Sequence, residues 1–172
     1  MTTQPDTPPR GPVVFAYDGS DLAKLAIDEA GRQLAPGRDA LVVTVWQPFD
    51  VGFVPAGGLR LDATEIADVR AAAERTAAEG ASLAEAAGFN ARGAAAEGAP
   101  TWKGIVSVAD EHDASLIVLG SHGRTGLAGV LIGSVAEAVA AHAEGPVLIT
   151  HHRSSGDSPR SDSNLETERN SA

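Results

Sequence analysis

The feature that most restricts the fold of this chain is an alternation of short, mostly apolar runs with longer segments of helical character. Apolar runs without a polar residue at every second position are typical of strands covered on both faces, as in parallel sheets. Repeated strand-helix alternation predicts a parallel sheet with helices on both faces. The handedness of crossover connections favours a doubly wound arrangement. The apolar runs lie at 13–17, 40–46, 115–119 and 147–150.

Residues that favour helix starts and ends divide the segments between these runs. Ser20 is suited to cap the first helix, and Asp62 with Glu65 three residues later resembles a capping box. Gly88 is a natural end for the second helix. These signals predict helices at about 21–34, 62–87, 101–112 and 134–142. A fifth strand is expected at 90–97 to complete the alternation, although its sequence, NARGAAAE, has weak strand propensity.

Composition excludes several classes of protein. The 172 residues carry 13 Lys+Arg against 23 Asp+Glu, and the formal net charge of −10 argues against a general nucleic-acid binder. The sequence has no cysteine, which excludes disulfides and thiolate metal sites, and no apolar stretch long enough to span a membrane. The N-terminus lacks the apolar core of a secretory signal, so a cytoplasmic protein is expected. We expect one domain at 13–150, flanked by disordered segments at 1–12 and 151–172.

Two segments have the chemistry of a ligand site, and each follows a predicted strand. The first is residues 17–20, with sequence YDGS, after the first strand. The second begins at Gly120, after the fourth strand in chain order. Ligands of doubly wound sheets bind outside the carboxyl ends of the strands, at the point where the strand order reverses. The sequence therefore predicts a binding site at this edge of the sheet.

The second segment spaces its glycines at Gly120, Gly123 and Gly133, followed directly by Ser134 at the predicted start of a helix. Glycines let backbone N–H groups line an anion-binding concavity, and a helix N-terminus favours phosphate. Arg124 adds the only full positive charge in this loop. The pattern predicts a phosphate site. Because 19 of the 172 residues are glycine, the spacing by itself fits a glycine-rich linker equally well.

The same residues resemble a known family. Residues 120–150, GSHGRTGLAGVLIGSVAEAVAAHAEGPVLIT, closely resemble the C-terminal signature of universal stress proteins: glycine, two residues, glycine, nine residues, glycine, then serine or threonine. Residues 13–20 resemble the first strand and turn of that family, and the likeness spans about 13–150. The resemblance implies a flavodoxin-like (adenine nucleotide alpha hydrolase-like), doubly wound, five-stranded parallel sheet. It also implies the subgroup that binds ATP and forms homodimers.

The resemblance assigns roles at the strand ends. Asp18 would face the ribose or a phosphate-bound metal ion, which we expect to be Mg²⁺ held through the phosphates. Gly120 would approach the ribose. The apolar residues expected to line the adenine are Ala16, Val45 and Leu119.

The resemblance also assigns the phosphate contacts, which it gives to backbone N–H groups and a serine hydroxyl. The residues expected to hold the phosphates are Gly123, Gly133, Ser134 and Val135. Three further residues lie in the same loop without a specific role: Ser121, His122 and Arg124. In the expected homodimer, the last strand, 147–150, pairs with its copy in the partner.

The sequence favours nucleotide binding over catalysis, and we assign no catalytic residue. The Walker-type GxxxxGK[ST] pattern is absent, and both lysines, Lys24 and Lys103, lie outside the glycine loop. Fast phosphoryl transfer normally combines several cations with a metal ion and a positioned nucleophile, so at most slow ATP hydrolysis is expected. Two alternatives remain open: a nucleotide-dependent enzyme, such as an ATPase or a nucleotidyl-transferase, and a dimeric interaction scaffold without a nucleotide. Cyclic AMP is a further candidate ligand.

Overall fold

The described part of the chain folds into a five-stranded parallel sheet covered by four helices. The computed structural model describes residues 11–47, 63–122 and 132–151. The order of the strands in the sheet is β3-β2-β1-β4-β5, with every pair parallel. The elements are β1 (Val13–Ala16), α1 (Asp21–Gln33), β2 (Asp39–Trp46), α2 (Ala63–Ala86), β3 (Asn90–Glu97), α3 (Thr101–Glu111), β4 (Leu116–Gly120), α4 (Ser134–His142) and β5 (Val147–Thr150).

The predicted fold class is therefore confirmed, and each predicted element agrees with the observed one to within one residue at its ends. Ser20 caps α1 as predicted, since its side chain accepts a hydrogen bond from the backbone N–H of Ala23. Asp62 of the expected capping box lies outside the described residues, as do most of the two terminal segments. The expectations for these parts stay predictions.

The path of the chain fixes where the strand order reverses. The chain moves outward from β1 through β2 to β3, and α3 then returns it to β4 on the other side of β1. Right-handed crossovers in opposite directions place helices on opposite faces. Accordingly, α1 and α2 pack on one face and α3 and α4 on the other. The reversal lies between β1 and β4, the two strands that precede the predicted ligand segments.

The core is divided by the sheet into two apolar layers. On the α1 and α2 side, Phe15 and Ile27 are buried, and Phe15 contacts Phe89 edge-on with ring centroids 5.2 Å apart. On the α3 and α4 side, Leu41 and Val139 are buried. Burial of each such side chain contributes about 1.5–3 kcal/mol. Both faces of the central strands are thus covered, as their unbroken apolar sequences predicted.

The alanine-rich strand β3 is explained by the close approach of α2. A Cβ atom added at Gly93 would lie 2.7 Å from the backbone carbonyl carbon and oxygen of Ala77 on α2. The buried face of α2 is likewise built from the smallest residues: Ala73, Ala77, Gly80, Ala81 and Ala84. Small side chains on both partners let the helix backbone approach the strand. Packing against α2 therefore offsets the weak intrinsic strand propensity of β3.

Helix α2 has 24 residues and is the longest helix of the described chain. Charged residues such as Asp68, Arg70 and Glu74 are exposed along it, and the last two pair at 2.9 Å as their helical spacing predicted. No helix among the described residues is long and apolar enough to cross a membrane.

Candidate functional site

The two predicted ligand segments lie side by side at the carboxyl edge of the sheet. β1 and β4 are hydrogen-bonded neighbours, and the register pairs Phe15 with Val118. The residues that leave these strands, Asp18 after β1 and Ser121 after β4, therefore emerge at the same edge. This edge is also the point at which the strand order reverses, where doubly wound sheets bind their ligands.

The turn between β1 and α1 is held by its own side chains. The carboxylate oxygen Oδ1 of Asp18 accepts a hydrogen bond from the Ser20 N–H at 3.0 Å. The Ser20 hydroxyl oxygen in turn accepts from the Ala23 N–H at 3.3 Å. Gly19 has a φ angle of +81°, a left-handed conformation that glycine adopts without strain. Asp18 thus has a structural task in the turn, and the turn fixes the orientation of its carboxylate.

Tyr17 anchors this turn to the rest of the fold, which the sequence did not reveal. Its side chain is 3% exposed, and its hydroxyl donates to Glu79 Oε1 on α2 at 2.9 Å. Its carbonyl accepts a hydrogen bond from the buried Thr44 hydroxyl at 2.8 Å. Burial, the hydrogen bond to Glu79 and the nearby charges of Glu79 and Asp18 raise the pKa of Tyr17 above its usual value. The phenol therefore stays protonated and remains a donor at neutral pH.

Ser121 joins the exit of β4 to two other elements. Its N–H donates to the Thr150 carbonyl at 2.8 Å, and its own carbonyl accepts from the Gly133 N–H at 2.7 Å. Its hydroxyl lies 3.2 Å from His122 Nδ1. These contacts bring the N-terminus of α4 to the exit of β4, beside the turn that contains Asp18.

Two glycines of the motif are required by packing. A Cβ atom at Gly120 would lie 2.8 Å from the Cβ of Leu22 on α1, and one at Gly133 would lie 2.8 Å from the Ser121 carbonyl oxygen. Gly120 thus has a helix-packing role beside the ribose role that the resemblance implies. Gly133 lets α4 approach β4 closely.

The start of α4 has backbone donors suited to an anion. Gly133 is the N-cap residue and provides no side-chain cap. Its own N–H is used by Ser121, so in this structure the donors at the helix start are those of the following residues. The first N–H groups of a helix have no intrahelical acceptor. Ser134 and Val135 occupy these positions and both are exposed, whereas Gly123 and Arg124 lie outside the described residues.

The three residues expected to line the adenine belong to one apolar cluster. Leu119 is buried in the layer beneath α3 and α4, and Ala16 and Val45 pack against that layer with partial exposure. The structure therefore brings them together on one side of the sheet. Ala16 and Val45 offer more surface to a ligand than Leu119, which is 4% exposed.

The described side chains at this edge do not form a metal centre by themselves. Among the described residues, no group of three or more histidine, aspartate or glutamate side chains could hold a metal ion. Mg²⁺ commonly binds one or two carboxylates together with substrate phosphates. Asp18 fits the protein's part in that arrangement.

Solved structures with this fold include nucleotide complexes. A universal stress protein crystallised in complex with cAMP is 29% identical, with a TM-score of 0.54, and the match covers 84% of this chain and 99% of that chain. The Archaeoglobus fulgidus universal stress protein in complex with dAMP is 26% identical, with a TM-score of 0.53, and the match covers 81% and 96%.

Sequence comparison gives the same relationship. The Mycobacterium tuberculosis universal stress protein Rv2005c is 35% identical over 153 residues, which cover 83% of this chain and 46% of that protein. The chain thus spans about half the length of this relative. A model of the universal stress protein family matches residues 9–151. The chain is a member of the universal stress protein family.

Proposed function

We propose that this chain belongs to the ATP-binding subgroup and acts as a cytoplasmic, homodimeric regulatory module rather than as an enzyme. The nucleotide binds at the carboxyl edge of the sheet between β1 and β4. The observation that carries this proposal is the hydrogen bond from the Gly133 N–H to the Ser121 carbonyl, at 2.7 Å. It brings a helix N-terminus, which favours phosphate, to the edge that also contains the Asp18 turn.

The residues at this edge suit the parts of an adenine nucleotide. Ala16 and Val45 present apolar surface for the base, and Asp18 accepts hydrogen bonds from ribose hydroxyls or holds Mg²⁺ on the phosphates. The N–H groups of Ser134 and Val135, with the Ser134 hydroxyl, donate to phosphate oxygens. Backbone donors at a helix start bind anions without a basic side chain, so a protein of net charge −10 can bind a triphosphate here.

The lysines support binding without fast chemistry. Lys24 lies 3.6 Å from Glu79, and Lys103 lines a groove between β3 and α3. Neither belongs to the edge between β1 and β4. Fast phosphoryl transfer normally combines several cations with a metal ion and a positioned nucleophile, and neither lysine is placed to contribute. We therefore expect no turnover above a slow background, and no catalytic residue is assigned.

Calorimetry with ATP, dAMP and cAMP, each with and without Mg²⁺, tests the proposal. We expect ATP to bind, and Gly123→Asp to abolish binding while the circular dichroism spectrum is unchanged. Gly133→Asp should also abolish binding, with a local displacement of the α4 start from Ser121. Mass spectrometry of the small molecules released from the denatured, freshly purified protein adds a test without added ligand. If none of the three nucleotides binds, the proposal is wrong. Tighter binding of cAMP or dAMP than of ATP would assign the site to an adenine nucleotide with fewer phosphates.

The proposed dimer interface is the outer edge of β5. This strand lies at the end of the sheet, and the carbonyls of Pro146 and Thr150 point to β4. Because backbone groups alternate in direction along a strand, the N–H of Ile149 points to the open edge. We expect sedimentation equilibrium to give a dimer for the wild type and a monomer for Ile149→Pro. A wild-type monomer at micromolar concentration would contradict this part of the proposal.

A further inference from the structure

We propose that Glu79 on α2 is a positioning residue for the nucleotide site: through Tyr17 it fixes the turn that contains Asp18. This inference rests on the proposed function, because Asp18 is the residue through which it acts. Glu79 follows Asp18 by 61 positions in the sequence, and the hydrogen-bond and ion-pair partners described for it, Tyr17 and Lys24, are not assigned to the nucleotide.

Tyr17 is held through its backbone, its ring and its hydroxyl. Its N–H donates to the Val43 carbonyl at 2.9 Å, and its carbonyl accepts from the Thr44 hydroxyl at 2.8 Å. Its ring lies against α2 at Gly80, where an added Cβ would be only 2.7 Å from Tyr17 Cδ1. Its hydroxyl reaches Glu79, the preceding residue of the same helix. The ring cannot shift along α2 without losing the last of these contacts.

The burial of Tyr17 against α2 determines which face of the sheet its neighbouring side chains occupy. Successive side chains of an extended segment point to opposite faces of the sheet. Tyr17 is buried with α1 and α2, and Ala16 packs in the opposite layer, with α3 and α4. The same alternation places Asp18 on the face opposite to Tyr17, away from α2. Fixing the Tyr17 ring therefore fixes the start of the turn in which the Ser20 N–H holds Asp18 Oδ1.

The partners of Glu79 differ in what they contribute. Lys24 lies 3.6 Å from Glu79, but the two side chains are 44% and 56% exposed, and exposed pairs of this kind stabilise little. The Tyr17 hydroxyl is 2.9 Å away on a ring that is 3% exposed. A hydrogen bond to a charged acceptor is stronger than one between neutral groups. The Tyr17 contact is therefore the one that transmits the position of α2 to the turn.

The test uses amide hydrogen exchange at Ser20, whose N–H donates to Asp18 Oδ1, so that the turn is observed without nucleotide. We expect Tyr17→Phe and Glu79→Ala to speed exchange at Ser20 by about three- to tenfold, the size of one hydrogen bond. Exchange at Glu137, on α4, is expected to stay unchanged. Glu79→Gln keeps an oxygen acceptor and should restore near wild-type exchange. Glu74→Ala removes another exposed carboxylate of α2 and serves as the matched control.

Nucleotide affinity provides the second measurement. ATP affinity should fall about equally in Tyr17→Phe and in Glu79→Ala. In a protein that already contains Asp18→Asn, adding Tyr17→Phe should cause no further loss of ATP affinity. Wild-type exchange at Ser20 in Tyr17→Phe, or equal acceleration at Ser20 and Glu137, would overturn the inference. A wild-type protein that binds no adenine nucleotide would instead refute the proposed function, and the exchange data would still decide whether Glu79 positions the turn.

Discussion

The two helices that begin at the proposed site start in different ways. Helix α1 follows β1 and is capped by its own Ser20, whose hydroxyl oxygen accepts from the Ala23 N–H. Helix α4 begins at Gly133, which provides no side-chain cap and whose N–H is used by the Ser121 carbonyl. The start of α1 satisfies one of its first-turn donors with its own side chain, whereas the start of α4 has no side-chain cap.

In the proposed site, the two adjacent helix starts would divide stability and binding between them. A side chain that caps a helix contributes about 1 kcal/mol to stability but occupies the donors that a ligand would use. The N-cap residue of α3, Pro100, also makes no side-chain cap, so a missing cap alone does not distinguish the start of α4. The start of α4 differs from that of α3 in lying beside the exit of β4 at the strand-order reversal. The following variants test this division.

The largest expected effect is at the start of α4. Gly133→Asp adds a Cβ that would lie 2.8 Å from the Ser121 carbonyl oxygen, and it places a negative charge beside the phosphates. Juxtaposed like charges cost several kcal/mol, so we expect ATP affinity to fall at least ~100-fold by calorimetry. Gly145→Asp, where the added Cβ meets an ordinary contact at 3.7 Å, is the matched control. Equal ATP affinities for the two variants would mean that the start of α4 does not contact the nucleotide.

A smaller effect is expected at the start of α1. Asp18→Asn keeps an oxygen that can accept from the Ser20 N–H but removes the charge that attracts Mg²⁺. We expect a loss of about tenfold in affinity for Mg²⁺-ATP, the size of one charged hydrogen bond, and a weaker dependence on Mg²⁺. Asp21→Asn, on the exposed first turn of α1, should leave both unchanged. If the two variants bind Mg²⁺-ATP equally well, Asp18 only stabilises the turn, through its hydrogen bond with the Ser20 N–H, and does not contact the nucleotide.

The paired serines separate stability from binding most directly. Ser20→Ala removes the cap of α1, and we expect about 1 kcal/mol less stability and a melting temperature lower by about 2–4 °C. Ser134→Ala removes a hydroxyl that caps nothing, so thermal unfolding should not change, while ATP affinity should fall by about threefold to tenfold. Thermal melts and calorimetry on both variants measure this. If Ser20→Ala lowered ATP affinity and Ser134→Ala lowered the melting temperature, the start of α1 would be the binding element and the start of α4 the stabilising one.

The smallest expected effect concerns alkaline pH. The pKa of Tyr17 is raised in the folded protein, first by burial and then by Glu79, so the folded state keeps this proton where the unfolded chain releases it. The resulting stability is complete below the unfolded pKa of about 10 and is lost as the pH rises above it. Thermal unfolding from pH 8 to 11 should therefore show a steeper loss for the wild type than for Tyr17→Phe. Parallel curves would mean that the phenol titrates equally in both states.

Much of the fold could be predicted because local signals agreed with the packing. Residues 40–46 and 115–119 have unbroken apolar sequences, and in the fold both lie between other strands with helices on each face. Ser20 caps the helix that it was predicted to cap. These signals depend on neighbours a few residues apart, which a sequence displays directly. The position of the candidate site followed, because the exits of β1 and β4 are fixed once the strand order is known.

Other parts of the site depended on contacts between residues distant in sequence. The pairing of Tyr17 with Glu79 spans 62 positions, and no local pattern predicts it. A tyrosine at the end of an apolar run was the only signal, and it indicates burial, not a partner. Gly120 could be selected by its place in the motif, but its packing on Leu22 is visible only in three dimensions.

The sequence by itself determined the order of the elements, the parallel sheet and the edge at which a ligand would bind, because apolar periodicity, capping residues and glycine spacing act over short distances. Only the tertiary structure decided which donors remain for a phosphate, how α2 approaches β3, and what orients Asp18. Those outcomes depend on how closely separate elements pack. Close packing is set by the combined shape of residues far apart in the chain, which no local pattern records.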